Sequence, residues 1–120
     1  MGKLTTHVLD TANGRPAAGV RIRVYALGDD DGSNRRMLRE GQTNADGRCD
    51  APLLEGDELV AGRYEIVFGA GAYFAASGAV LAQPAFVGDV VLRFGVADAA
   101  QHYHVPLLVS PWSWSTYRGS

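Results

Sequence analysis

Apolar residues recur along this chain with a period of two, the spacing of strands that bury one face. In Val20–Leu27, Val20, Ile22, Val24 and Ala26 share one face, with Arg21, Arg23 and Tyr25 on the other. Tyr64, Ile66 and Phe68 alternate with Glu65 and Val67, while Val90, Leu92, Phe94 and Val96 stand opposite Arg93. Near the C-terminal end, Tyr103, Val105, Leu107 and Val109 alternate with His102, His104, Pro106 and Leu108. The segment LTTHVLD near the start predicts a further strand, and weaker ones are expected near Met37–Thr43 and Arg48–Leu53.

Turn chemistry separates these runs. Asn13-Gly14, Pro16 and Asp46-Gly47 all favour tight reversals, and fifteen glycines suit many short connections. Helical structure is expected only over Gly71–Gly78. Seven or eight short strands punctuated this way predict an all-β fold, a sandwich of two antiparallel sheets with one short helix. A chain of 120 residues has room for one core, so residues 1–120 are expected to form one domain. Pro106 lacks an N–H, which predicts an edge or a bulge at that point of its strand. An open edge in turn favours pairing with another subunit.

Composition narrows the functional classes. The chain is 47% hydrophobic and 20% charged, an ordinary globular balance, with a net charge of −2. That charge gives no general attraction to nucleic acid or to an anionic membrane, so neither is expected as a partner. Cys49 is the single cysteine. It excludes an internal disulfide and suits a reducing compartment. With no apolar run of signal-peptide or membrane-spanning length, a cytoplasmic location is expected. The formal myristoylation match at Gly2 is read as accidental, because a strand begins at Leu4.

Candidate chemistry lies with few residues. His102 and His104, two apart on a strand, project from the same face roughly 7 Å apart. His7 shares a strand face with Thr5 and Leu9, and Arg48 follows the Asp46-Gly47 turn. The C-terminal stretch carries Trp112, Trp114, Tyr117 and Arg118 before Ser120. Taken singly, each histidine is as well explained by a half-buried strand position, and the tryptophans by a core edge or interface. Taken together, three histidines allow two chemistries. One is a zinc site with an open position for water. The other is metal-free acid–base catalysis, with neutral histidine activating water while arginine or tyrosine holds a planar polar substrate. Spacing alone leaves both open.

Three motifs go further. LTTHVLDTANGRPAAGV, TNADGR and YHVPLLVSPWSWSTYRGS resemble the 5-hydroxyisourate hydrolases, transthyretin-related enzymes of uric acid breakdown, over Leu4 to Ser120. The terminal YRGS distinguishes that group from the transthyretin hormone carriers, and AQPAFVGDVVLRFGVADAA is the least family-like stretch. The resemblance implies a transthyretin-like sandwich and a homotetramer, a dimer of dimers with active sites in the channel between the dimers. It implies cofactor-free and metal-free hydrolysis of 5-hydroxyisourate to 2-oxo-4-hydroxy-4-carboxy-5-ureidoimidazoline. By motif, His7, Arg48 and His104 are the catalytic residues. His7, Arg48, Tyr117, Arg118, Gly119 and Ser120 bind the substrate. His104 is given the water-activating role, exchangeable with His7, and His102 a supporting one. The alternative within the same fold is a non-catalytic small-molecule carrier. An immunoglobulin-like interaction module fits less well, since it predicts a secretion signal.

Overall fold

The computed structural model describes residues 1–28 and 32–119. Nine strands run in chain order: β1 Lys3–Asp10, β2 Arg15–Pro16, β3 Arg21–Leu27, β4 Arg36–Gln42, β5 Leu54–Glu55, β6 Gly62–Phe68, β7 Val90–Val96, β8 His102–Val109 and β9 Trp114–Thr116. One sheet has the order β2-β1-β8-β9, with β5 also paired to β1, and the other has the order β4-β3-β6-β7. The first is called here the terminal sheet, because it joins the two ends of the chain. The second is the central sheet. The expected sandwich is therefore present.

Between the sheets the period-two pattern is realised as a core. Leu4 and Val8 of β1, Ile22 and Val24 of β3, Tyr64, Ile66 and Phe68 of β6, and Leu107 and Val109 of β8 are all buried there. Among the described residues one α-helix forms, α1 (Ala70–Ala76); it starts one residue earlier than the expected stretch and docks through buried Ala70 and Phe74. Among the described residues no helix is long and apolar enough to cross a membrane.

Three features depart from the pattern reading. The β1–β8 pairing is parallel, joining Lys3–Asp10 to His102–Val109, while the other pairings are antiparallel. No strand forms over Arg48–Leu53: the chain there is bent and irregular, and β5 covers only Leu54 and Glu55. Asn44 accounts for this by turning the chain on itself. Its side-chain oxygen accepts from the N–H groups of Asp46 and Arg48, and its amide donates to Asp50.

The third departure concerns Pro106, which lies on neither an edge nor a bulge. β8 is flanked by β1 on one side and by β9 on the other. The β8–β9 ladder runs from Val109–Trp114 to Leu107–Thr116, lapses, and resumes in the same register at the bridge between His104 and Gly119. The lapse falls where proline has no N–H to give. There the Thr116 hydroxyl donates to the Pro106 carbonyl at 2.7 Å instead.

Candidate active site

The buried and half-buried positions of β1 alternate, with Leu4, Thr6, Val8 and Asp10 inward and Thr5, His7 and Leu9 on the outer face. The parallel register sets Thr5 beside His104 and His7 beside Pro106. His7 and His104 are thereby diagonal neighbours on one sheet face, although almost the whole chain separates them. Neither is fully buried.

Arg48 reaches the same face through the Asp46-Gly47 turn. Gly47 has φ +75°, a left-handed conformation that glycine adopts without strain. Its carbonyl accepts from the Val8 N–H at 2.8 Å, which pins the turn to β1 next to His7. A methyl group at Gly47 would lie 2.4 Å from the Val8 oxygen, so the approach requires glycine. Beyond the turn, Arg48 lines a cavity of about 160 Å³ with Thr5, Thr6, Cys49, Asp50 and Pro52.

His104 is held on two sides. Its Nδ1 lies 2.8 Å from the Thr5 hydroxyl oxygen, within hydrogen-bond distance. On the other side the chain crosses it closely: the Gly119 N–H donates to the His104 carbonyl at 2.7 Å, and a methyl group at Gly119 would meet the ring Cδ2 at 2.7 Å. Burial holds the His104 imidazole below the usual histidine range, and the charges of Arg48 and His7 depress it further. His104 is therefore neutral near pH 7, with a lone pair available.

The rest of the tail is arranged differently. Arg118 donates to the Gln101 side chain at 2.8 Å and stacks 4.2 Å over the Tyr103 ring, so its guanidinium is directed to the start of β8, away from His7. Tyr117 is 61% exposed and Trp112 68% exposed. Trp112 and Trp114 were expected at a core edge or an interface, and within one chain both stay exposed, so the core edge is not made. Ser120 lies outside the described residues. His102 is exposed, and among the described residues no group of three or more His, Cys, Asp or Glu side chains is placed to hold a metal ion. Cys49 offers no nucleophile, because burial and then Asp50 push its thiol up, leaving it protonated at neutral pH. A larger groove of about 750 Å³ lies against α1, lined by Arg15, Arg21, Tyr73 and small residues, and contains none of the candidate side chains. The candidate site is therefore marked by its convergence of basic groups and not by size.

The sequence model of the HIUase/Transthyretin family matches residues 4–119. The chain belongs to that family. Within the HIUase/Transthyretin family it is 60% identical over 119 residues to the 5-hydroxyisourate hydrolase of Mesorhizobium japonicum, covering 99% of this chain and 93% of the relative. Among solved structures it is similar to Klebsiella pneumoniae 5-hydroxyisourate hydrolase, with a TM-score of 0.80 and 35% identity over the full length of both. It also superposes on (S)-allantoin synthase with a TM-score of 0.92 and 47% identity. That match covers 99% of this chain and 44% of the other, so the chain spans less than half of the synthase. The family assignment agrees with the three motifs and with the transthyretin-like sandwich.

Of the site residues expected from the sequence, His7, Arg48, His104 and Gly119 come together on the terminal sheet. Thr5 was not among them. Its importance depends on the β1–β8 register, which sequence alone does not reveal.

Proposed function

We propose that this protein hydrolyses 5-hydroxyisourate, opening the six-membered ring to give 2-oxo-4-hydroxy-4-carboxy-5-ureidoimidazoline. The observation that carries the reading is the convergence of a neutral His104 with His7 and Arg48 on one sheet face. Family membership and the 60% identity to a protein of that name support it.

The chemistry follows from the groups present. Water attacks the ring carbonyl carbon while His104 takes a proton from it. The carbonyl oxygen becomes an oxyanion, and the permanently charged Arg48 guanidinium offsets that charge. Collapse of the tetrahedral intermediate breaks the carbon–nitrogen bond. The departing ring nitrogen then receives the proton from the histidine, so water is added across the amide with no net oxidation or reduction. His7 positions the water or substrate and shares in the proton transfer. Tyr117 contributes a hydrogen-bonding edge, Gly119 brings the tail across His104, and Arg118 fixes the tail through Gln101 and Tyr103.

The reading includes a homotetramer in which the terminal sheets face one another across a channel. Support comes from β7 and β9, which end their sheets and carry exposed Val91 and Trp114, with Trp112 and Tyr117 exposed nearby. Light scattering that returned a monomer would remove this part of the proposal.

The direct test generates 5-hydroxyisourate by urate oxidation and follows its ultraviolet decay with and without the protein, in the presence of a chelator. Protein-dependent acceleration that survives chelation is expected. Decay at the spontaneous rate with folded protein would reject the hydrolase reading in favour of a carrier.

A further inference from the structure

We infer that Thr5 is a positioning residue for the reaction: its hydroxyl accepts the Nδ1–H of His104 and so leaves the lone pair on Nε2, the nitrogen that takes the proton from water. The inference rests on the hydrolase reading for the identity of the reaction, but the tautomer it specifies can be measured without substrate.

Geometry carries the argument. An imidazole that acts as a base must present one bare nitrogen to the water and carry its proton on the other. The parallel β1–β8 pairing sets Thr5 directly beside His104, with 2.8 Å between Oγ1 and Nδ1. A hydroxyl oxygen accepts as readily as it donates, so it can hold the Nδ1 proton in the neutral ring and in the cation. Among the described residues, no other hydrogen bond is made to the His104 ring. The Gly119 backbone covers the Cδ2 side so closely that a methyl group there would sit 2.7 Å away. Thr5 and Gly119 together restrain the rotation of the ring, and among the described residues Nε2 is the nitrogen left without a hydrogen bond. The arrangement parallels the use of a fixed acceptor to set the tautomer of a catalytic histidine, with a neutral hydroxyl in place of a carboxylate.

A neutral acceptor also fits the surroundings. Among the described residues, Arg48 in the turn and His7 on β1 act on the His104 ring. The other titratable or charged groups on the segments against it are Lys3 on β1, His102 on its own strand, Tyr117 and Arg118 in the tail, and Asp50 in the cavity that Arg48 shares with Thr5. Among the described residues, no carboxylate contributes to the shift of the His104 ring. A carboxylate in place of Thr5 would favour the imidazolium more strongly than a neutral hydroxyl does, so less of the ring would keep its lone pair at neutral pH.

Two measurements test this. Nitrogen-15 NMR of histidine-labelled wild-type protein near pH 8 should show His104 with a protonated Nδ1 and a bare Nε2. The reverse tautomer overturns the inference whether or not the protein hydrolyses anything. Kinetically, Thr5→Val keeps the shape and removes the acceptor. It should lower kcat about 3- to 10-fold, and Thr5→Ser should restore most of the loss. The sign of the pH effect is diagnostic. An acceptor on Nδ1–H favours the imidazolium, so its removal should move the acid limb of kcat to lower pH. A limb that moves upward means that Thr5 donates to Nδ1, and an unchanged kcat and limb mean that it does neither; both outcomes refute the inference. Wild-type protein without hydrolase activity would reject the proposed function and leave the NMR result to stand by itself.

Discussion

On the outer face of the central sheet, Glu65 is 1% exposed and saturated with partners. Arg35 and Arg93 both donate to its carboxylate, and Arg35 lies 4.2 Å over the neighbouring Tyr25 ring. The outer face of the terminal sheet also gathers charged and polar groups, but does not neutralise them. Among the described residues, the His104 ring is bonded at Nδ1 alone, and no carboxylate offsets the effect of the Arg48 cation on it. Both sheets have the same core and the same alternation. They differ in whether a carboxylate is bonded to the bases: Glu65 takes Arg35 and Arg93, whereas among the described residues no carboxylate is bonded to the His104 ring or to Arg48. A face whose charges are paired gains a fixed arrangement; a face of unpaired bases keeps atoms available for a substrate.

The strongest way to break this contrast is to remove the base. His104→Ala should reduce turnover by about 10² or more while thermal melting still shows a folded protein. Near-normal turnover would remove His104 from the chemistry. Next in size is the turn that delivers Arg48. Gly47→Ala forces a side chain into a left-handed conformation against the Val8 carbonyl, and should cost roughly 2–3 kcal/mol of stability. Urea unfolding would measure that loss, and turnover should fall with it as Arg48 moves away.

On the central sheet the opposite pattern is expected. Glu65→Gln should cost about 1.5–3 kcal/mol through two weakened charged hydrogen bonds, yet leave kcat unchanged in the folded protein. A large loss of kcat at full folding would mean that the two faces are not independent. The smallest effect concerns pH. Because burial, Arg48 and His7 hold His104 down, the acid limb of kcat/KM should lie below the ordinary histidine value near 6.5. Arg48→Gln removes one of those causes, so the limb should move up toward that value, by less than about one pH unit.

Much of this was legible in the sequence, for identifiable reasons. Alternation in β3, β7 and β8 is legible because alternate residues of each strand enter the core, and in β6 the core set Tyr64, Ile66 and Phe68 alternates with Glu65 and Val67, which are buried on the other face. The burial of Glu65 was not legible, since a carboxylate opposite Ile66 reads as a solvent-facing residue until Arg35 and Arg93 are known to cover it. Nor was the irregular stretch after Arg48, where hydrogen bonds from one side chain, Asn44, override the weak strand signal. The candidate site residues were named through motifs, because His7, Arg48 and His104 carry no spacing signal in common. Thr5 and the lapse opposite Pro106 needed the actual strand pairing.

That pairing sets the order in which the molecule can become competent. Thr5 and His104 stand 99 positions apart, and β1 meets β8 only when nearly the whole chain has been gathered. Contacts of such long range form late and slowly, because the loop between them must close first. No fragment lacking either end can hold half of the constellation in place. Regain of function after dilution from denaturant should therefore trail the recovery of central-sheet structure, which makes catalysis a clock for the final stage of folding.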